Sequence, residues 1–196
     1  MIVGSKEAIR EHIPHYEWLF IRIIRMKSDT ELISTEDGYN SMLTAISRLV
    51  ELVSINNPVQ TIKEGFSHYE YPVFPIEALR EVLLNSFLHR DFTTPGPIMV
   101  EQFRDRLEIS NPGMFIGGVT SKNILYHDPV ARNIQLVEIF QKTRLVNRSN
   151  MGVPRIFKNL LMEGKEQPEY YEDGETIKVI FQASELTAGF RKWYNL

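Results

Sequence analysis

Glu81 and Asn85 are the residues whose types and spacing best suit chemistry in this chain. At about 100° per residue on a helix they fall on one stripe, with His89 one turn further on. A carboxylate in that position can take a proton from water, and an amide oxygen can ligate a hard cation such as Mg2+. The same spacing also fits a quieter arrangement, in which Asn85 hydrogen-bonds a neighbouring loop and Glu81 pairs with an arginine. A second candidate is Asn150-Met151-Gly152-Val153-Pro154. Backbone N–H groups at a glycine-containing helix start can hold phosphate oxygens, although an ordinary helix start with proline in its first turn has the same pattern.

These residues need a helix and a roof. After Pro75, the residues Ile76, Leu79, Val82, Leu83 and Phe87 recur at helical spacing and form a core face. Ala78 and Val82 border the polar stripe on one side, Leu84 and Leu88 on the other, so the stripe is expected to face an enclosed space. A hairpin follows: Ile98 to Phe103, a turn at Arg104-Asp105, then Arg106 to Ser110 ending in Asn111-Pro112-Gly113. From Met114 to Ala131 no periodicity survives, which suits a functional lid. Helices are expected over Arg132 to Lys142 and Arg155 to Glu163, the latter closed by Gly164, and a last strand over Glu175 to Ala183.

Upstream, Lys6 to His12 reads as a short helix and Tyr16 to Met26 as a strand without an evident partner. Residues 1–37 are therefore expected to be the C-terminal part of a truncated domain, forming a small N-terminal α/β remnant. Residues 38–58, an amphipathic helix ending near Asn56-Asn57-Pro58, are expected to link it to a main domain over 59–183, where Gln60 to Phe66 supplies a short strand. Residues 184–196 form an exit segment.

The 196 residues can bury one good core, and a 43% hydrophobic content excludes a disordered tail. A net charge of −3 gives no overall pull toward nucleic acid, which leaves a local basic patch open; Arg104, Arg106, Arg144 and Arg148 could contact DNA, although scattered surface arginines usually only solubilise. No cysteine is present, which excludes disulfides and thiolate metal sites, and the five histidines lack ligand spacing. No membrane span or signal pattern is visible, so no membrane partner and a cytoplasmic location are expected. The P-loop pattern G-x-x-x-x-G-K-[ST] is absent, so the sequence supplies no helicase motor.

The order Y-P-V-F-P-I-E-A-L-R-E-V-L-L-N-S-F-L-H-R-D-F, D-R-L-E-I-S-N-P-G, R-N, M-G-V-P-R-I and a final strand resembles the C-terminal module of RecG-related ATP-dependent DNA helicases or transcriptional regulators. That module looks like a diverged member of the GHKL ATPase superfamily, with the likeness running over about residues 66–183. Residues 1–37 also look like the end of the Alba-related, Schlafen-like DNA-binding domain that precedes it. The resemblance implies an α+β fold, a two-layer α/β sandwich with helices covering one face of a mixed sheet and the ligand lying under a lid. It also implies ATP and Mg2+ as cofactors. By position, Glu81 matches the general base and Asn85 the Mg2+ ligand. Asn111 stands where the superfamily has the aspartate that reads adenine, and Gly113 matches the glycine after it. Asn150 and Gly152 stand at the phosphate-binding turn, with Arg132 or Arg155 near the phosphates.

There are departures. Asn111 lacks the carboxylate's charge, and Phe115 and Asn150 replace glycines. The first expectation is accordingly a transcriptional-regulator fragment with a nucleotide-binding or sensing module, reaching DNA through a preceding domain and able to form homo-oligomers. An active Mg-dependent ATP hydrolase and a catalytically dead structural or dimerisation module are the alternatives.

Overall fold

Trp18 and Phe20 on one strand, with Ile98 and Val100 on another, alternate with less buried residues, and this alternation sets the layering of the molecule. The computed structural model describes residues 4–25, 30–64, 66–143 and 152–183. The elements are α1 (Lys6–His12), β1 (Trp18–Arg25), β2 (Thr30–Gly38), α2 (Met42–Ile55), β3 (Val59–Glu64), β4 (Ser67–Pro72), α3 (Ile76–His89), β5 (Ile98–Gln102), β6 (Arg106–Pro112), α4 (Ile134–Lys142), α5 (Gly152–Met162), β7 (Glu169–Glu172) and β8 (Thr176–Gln182). Six strands form one mixed sheet in the order β2-β1-β5-β6-β8-β7. Within it β1 and β5 run parallel and the other neighbours antiparallel.

In register, Trp18 lies beside Ile98, Phe20 beside Val100, Val100 opposite Ile109 and Ile109 opposite Val179. None of these is more than 6% exposed, so one face of the sheet carries a continuous apolar band. Helix α3 packs over it between α2 and α5. Its Leu79, Leu83 and Phe87 are fully buried, each contributing about 1.5–3 kcal/mol by leaving water. The result is the expected α+β arrangement, a two-layer sandwich of GHKL type.

The opposite face is more polar. Glu108 there is held by Arg106 Nε at 2.6 Å and Lys178 Nζ at 2.5 Å.

Two boundaries expected from sequence do not coincide with the structure. The described part of residues 1–37 is not set apart, because β1 lies between β2 and β5 inside the main sheet. Its two partners are β2, which follows it directly and was not expected as a strand, and β5, which comes far downstream. Helix α2 is not a free linker either: Met42, Ala45, Leu49 and Val53 are fully buried. Amphipathic spacing reads the same for a connecting helix and for a core helix. Strands β2, β4 and β7 were not expected. Residues 184–196, Arg144, Arg148 and Asn150 lie outside the described residues.

Hairpin β3-β4 forms a separate two-stranded sheet. Its base is pinched shut: Val73 N–H donates to the Pro58 carbonyl at 2.8 Å, and the Asn57 carboxamide both donates to Phe74 O (2.7 Å) and accepts from Phe74 N–H (3.0 Å).

Candidate functional site

Helix α3 exposes its polar stripe to a cavity of about 420 Å³. The walls are α3, the sheet at Asn111, Ile177 and Val179, the segment 114–131, helix α4 and the first turn of α5. Glu81, Asn85 and His89 all line it, as their spacing predicts. Eight residues at 1.5 Å each put Glu81 and His89 about 12 Å apart along the helix, so the cavity has two ends.

At the Glu81 end, Arg155 Nη1 stands 3.4 Å from Glu81 Oε2. Burial pushes the Glu81 carboxyl above its ordinary range, and the pull of Arg155 only partly opposes this. Asn85 Nδ2 is buried and has no hydrogen-bond partner among the described residues. The quieter arrangement is therefore half realised: the glutamate has its arginine, and the amide nitrogen has nothing.

Gly152 explains how α5 comes so close. A Cβ at that position would sit 3.1 Å from both Glu81 Oε1 and Asn85 Oδ1, tighter than side chains tolerate without movement. A hydrogen there lets the backbone of the helix start abut the carboxylate and the carboxamide.

At the other end, burial and the nearby Arg132 charge hold His89 below its ordinary pKa. Asn111 is 4% exposed, and its Nδ2 donates to the Pro112 carbonyl at 3.4 Å. Arg132, expected near phosphates, lines the cavity here and not beside Glu81. It donates to Asp91 Oδ2 at 3.1 Å and to the Met114 carbonyl at 2.6 Å, clasping the two ends of segment 114–131 together. Asn133 Nδ2 donates to the Leu88 and Arg90 carbonyls at 2.8 Å each, closing the end of α3.

Gly113, expected to touch a cofactor, is not among the residues lining the cavity. It adopts φ +126° where β6 ends, and a Cβ there would meet Asp91 Cβ at 3.2 Å. The glycine thus serves a turn beneath the site. Asn150 is not among the described residues, so of the two phosphate-turn candidates only Gly152 is placed.

The three residues after Leu88 divide their work. His89 faces the cavity. Arg90 is fully buried and donates to the carbonyls of Asp91, His15, Thr94 and Gly96. Asp91 accepts from Thr93 N–H at 2.9 Å and its hydroxyl at 2.6 Å besides Arg132.

Segment 114–131 is organised by its own side chains. Asn123 Oδ1 accepts from Thr120 N–H at 2.7 Å, and its Nδ2 donates to the Gly118 carbonyl at 2.9 Å. Phe115 N–H donates to Glu172 Oε1 at 2.6 Å, tying the segment to β7, a strand too short to be read from sequence. Phe115, Ile116, Val119, Leu125 and Val130 give the cavity an apolar roof.

Fold and site together define a GHKL-type sandwich whose pocket lies between its helix layer and a lid. Residues 96–181, the stretch from β5 through β8, match the family described as "Putative ATP-dependent DNA helicase recG C-terminal". Helix α3, with Glu81 and Asn85, precedes the matched range. Among solved structures, the DIP2311 protein from Corynebacterium diphtheriae is similar in fold, with a TM-score of 0.80 at 23% identity. The similarity covers 96% of this chain and 39% of that one, so the chain spans well under half the length of its structural relative. No curated protein matches the sequence.

Proposed function

We propose that this chain carries a nucleotide-binding or nucleotide-sensing module of a transcriptional regulator, whose occupancy biases a DNA-binding domain of the same protein. The observation that carries the reading is the walled cavity with Glu81 and Asn85 at one end and Asn111 at the other. Its apolar roof suits a flat heteroaromatic ring. With Nδ2 turned to the Pro112 carbonyl, Asn111 Oδ1 is left to accept from an exocyclic amine. At the opposite end the α5 start brings backbone N–H groups toward an anion.

The donor set fits a Mg2+ ion that arrives with phosphates. Among the described residues no group of three or more His, Cys, Asp or Glu could hold a metal alone. The Asn85 carboxamide offers one hard oxygen beside a carboxylate, and phosphate oxygens and water complete such a shell. Bound there, the ion would neutralise phosphate charge. Titration calorimetry with Mg-ATP tests the reading: heat and a raised melting temperature are expected, and neither at millimolar nucleotide would overturn it.

Hydrolysis is the second reading, favoured by the raised pKa of Glu81, the direction a general base near neutral pH requires. Arg155 must first leave Glu81, and a phosphate group in the cavity would draw it away. Phosphate release abolished by Glu81→Ala in a protein that still melts cooperatively would support this reading; equal rates would exclude it.

A further inference from the structure

Hairpin β3-β4 is tightly anchored and has no sheet neighbour among the described residues. Among them each of its strands borders only the other, so each has one unpaired edge. The Asn57–Phe74 clasp and the Pro58–Val73 hydrogen bond hold it as an arm on the body. Val59 is 57% exposed, Tyr69 43%, and Phe66 at the tip fully exposed. A lone two-stranded hairpin is marginal in water, and an unpaired edge is a template for another strand.

The sequence of β4 determines which strand fits. Pro72 has no N–H to give, so ladder pairing along this edge ends at Tyr71. The remaining five residues, Ser67 to Tyr71, have Tyr69 as their midpoint. A full-length two-fold antiparallel pairing of β4 with itself therefore centres on Tyr69. That register places His68 opposite Glu70 of the second copy, and by symmetry Glu70 opposite its His68. Both residues are exposed. The same operation on the six residues of β3 centres between Thr61 and Ile62 and sets Lys63 opposite Gln60, which matches no charges. Nucleic acid is the poorer occupant, since the hairpin has one lysine against two glutamates.

We propose that β4 is a homodimerisation edge: two copies of this chain join their hairpins into a four-stranded ribbon about Tyr69, with His68–Glu70 pairs on either side of the axis. This does not depend on the nucleotide reading.

Because the interface is two-fold, a charge swap can be made within one chain. Sedimentation equilibrium of the full chain is expected to show a reversible dimer. His68→Glu sets glutamate opposite glutamate twice, and Glu70→Lys replaces the acceptor that faces each imidazole; each should raise the dimer dissociation constant about tenfold. The double variant His68→Glu/Glu70→Lys sets opposite charges against each other and should recover the dimer. A wild-type monomer at every concentration, single variants that dimerise unchanged, or a double variant no better than the singles would each overturn the proposal. Circular dichroism melting of all four proteins separates loss of pairing from loss of fold.

Discussion

The two ends of α3 are built on opposite principles. Around Arg90 and Asp91 hydrogen bonding is dense: the guanidinium is surrounded by four carbonyl oxygens, and Asp91 is held by Thr93 and Arg132. Two turns earlier, Glu81 has one long ion pair and Asn85 Nδ2 has no partner among the described residues. Buried polar groups in a folded chain are nearly always satisfied. Apart from Arg90 Nε, which like Asn85 Nδ2 has no partner among the described residues, the first cluster is closed on itself and serves as scaffolding, whereas the second turns its polar groups to a cavity.

Breaking the scaffold should have the largest effect. Arg90→Met strands several carbonyls and should cost about 3 kcal/mol, read as a lower urea midpoint with an unchanged slope. Arg132→Ala removes the clasp on Met114 and one partner of Asp91, and should cost about 1 kcal/mol; it should also expose the 114–131 segment to faster limited proteolysis. Asn85→Ala removes an amide whose nitrogen satisfies nothing, so stability should change by less than about 1 kcal/mol while Mg-ATP heats disappear. A loss of several kcal/mol there would make Asn85 structural and collapse the contrast between the two ends.

Acidity sharpens the comparison with the smallest effects, because the two carboxyls move in opposite directions. Thr93 holds the Asp91 pKa down, so its contribution is present above the unfolded value and is lost as pH falls through the folded one. Burial raises Glu81, so its contribution favours the fold at low pH and is lost as pH rises through the folded value. Glu81→Gln should therefore raise the melting temperature at pH 7 and leave it unchanged near pH 4. Asp91→Asn should lower it at pH 7 and flatten its fall in acid. Melting curves across pH for the two variants check both signs.

Much of the site was legible in the sequence because it rests on local periodicity. The spacing of Ile76, Leu79, Leu83 and Phe87 gave α3, and with it the shared stripe of Glu81, Asn85 and His89. The loss of pattern after Gly113 marked the segment that roofs the cavity. What depends on non-local pairing was not legible. The parallel match of β1 with β5 is invisible along the chain, and it moves residues expected in another unit into the middle of the sheet. Strand β7 has four residues and little burial contrast, so Glu172, which holds the lid at Phe115, gave no signal. Arg90 likewise reads as an ordinary charged residue after a helix, since nothing local announces that carbonyls from three other places converge on it.

One of those carbonyls belongs to His15, just ahead of β1. Through it the chain leading from α1 into the sheet is bolted to the far end of the helix that floors the pocket. A pull on the polypeptide upstream of Trp18 thus has a short mechanical route to His89, and a ligand that shifts α3 tugs on that same cable in return.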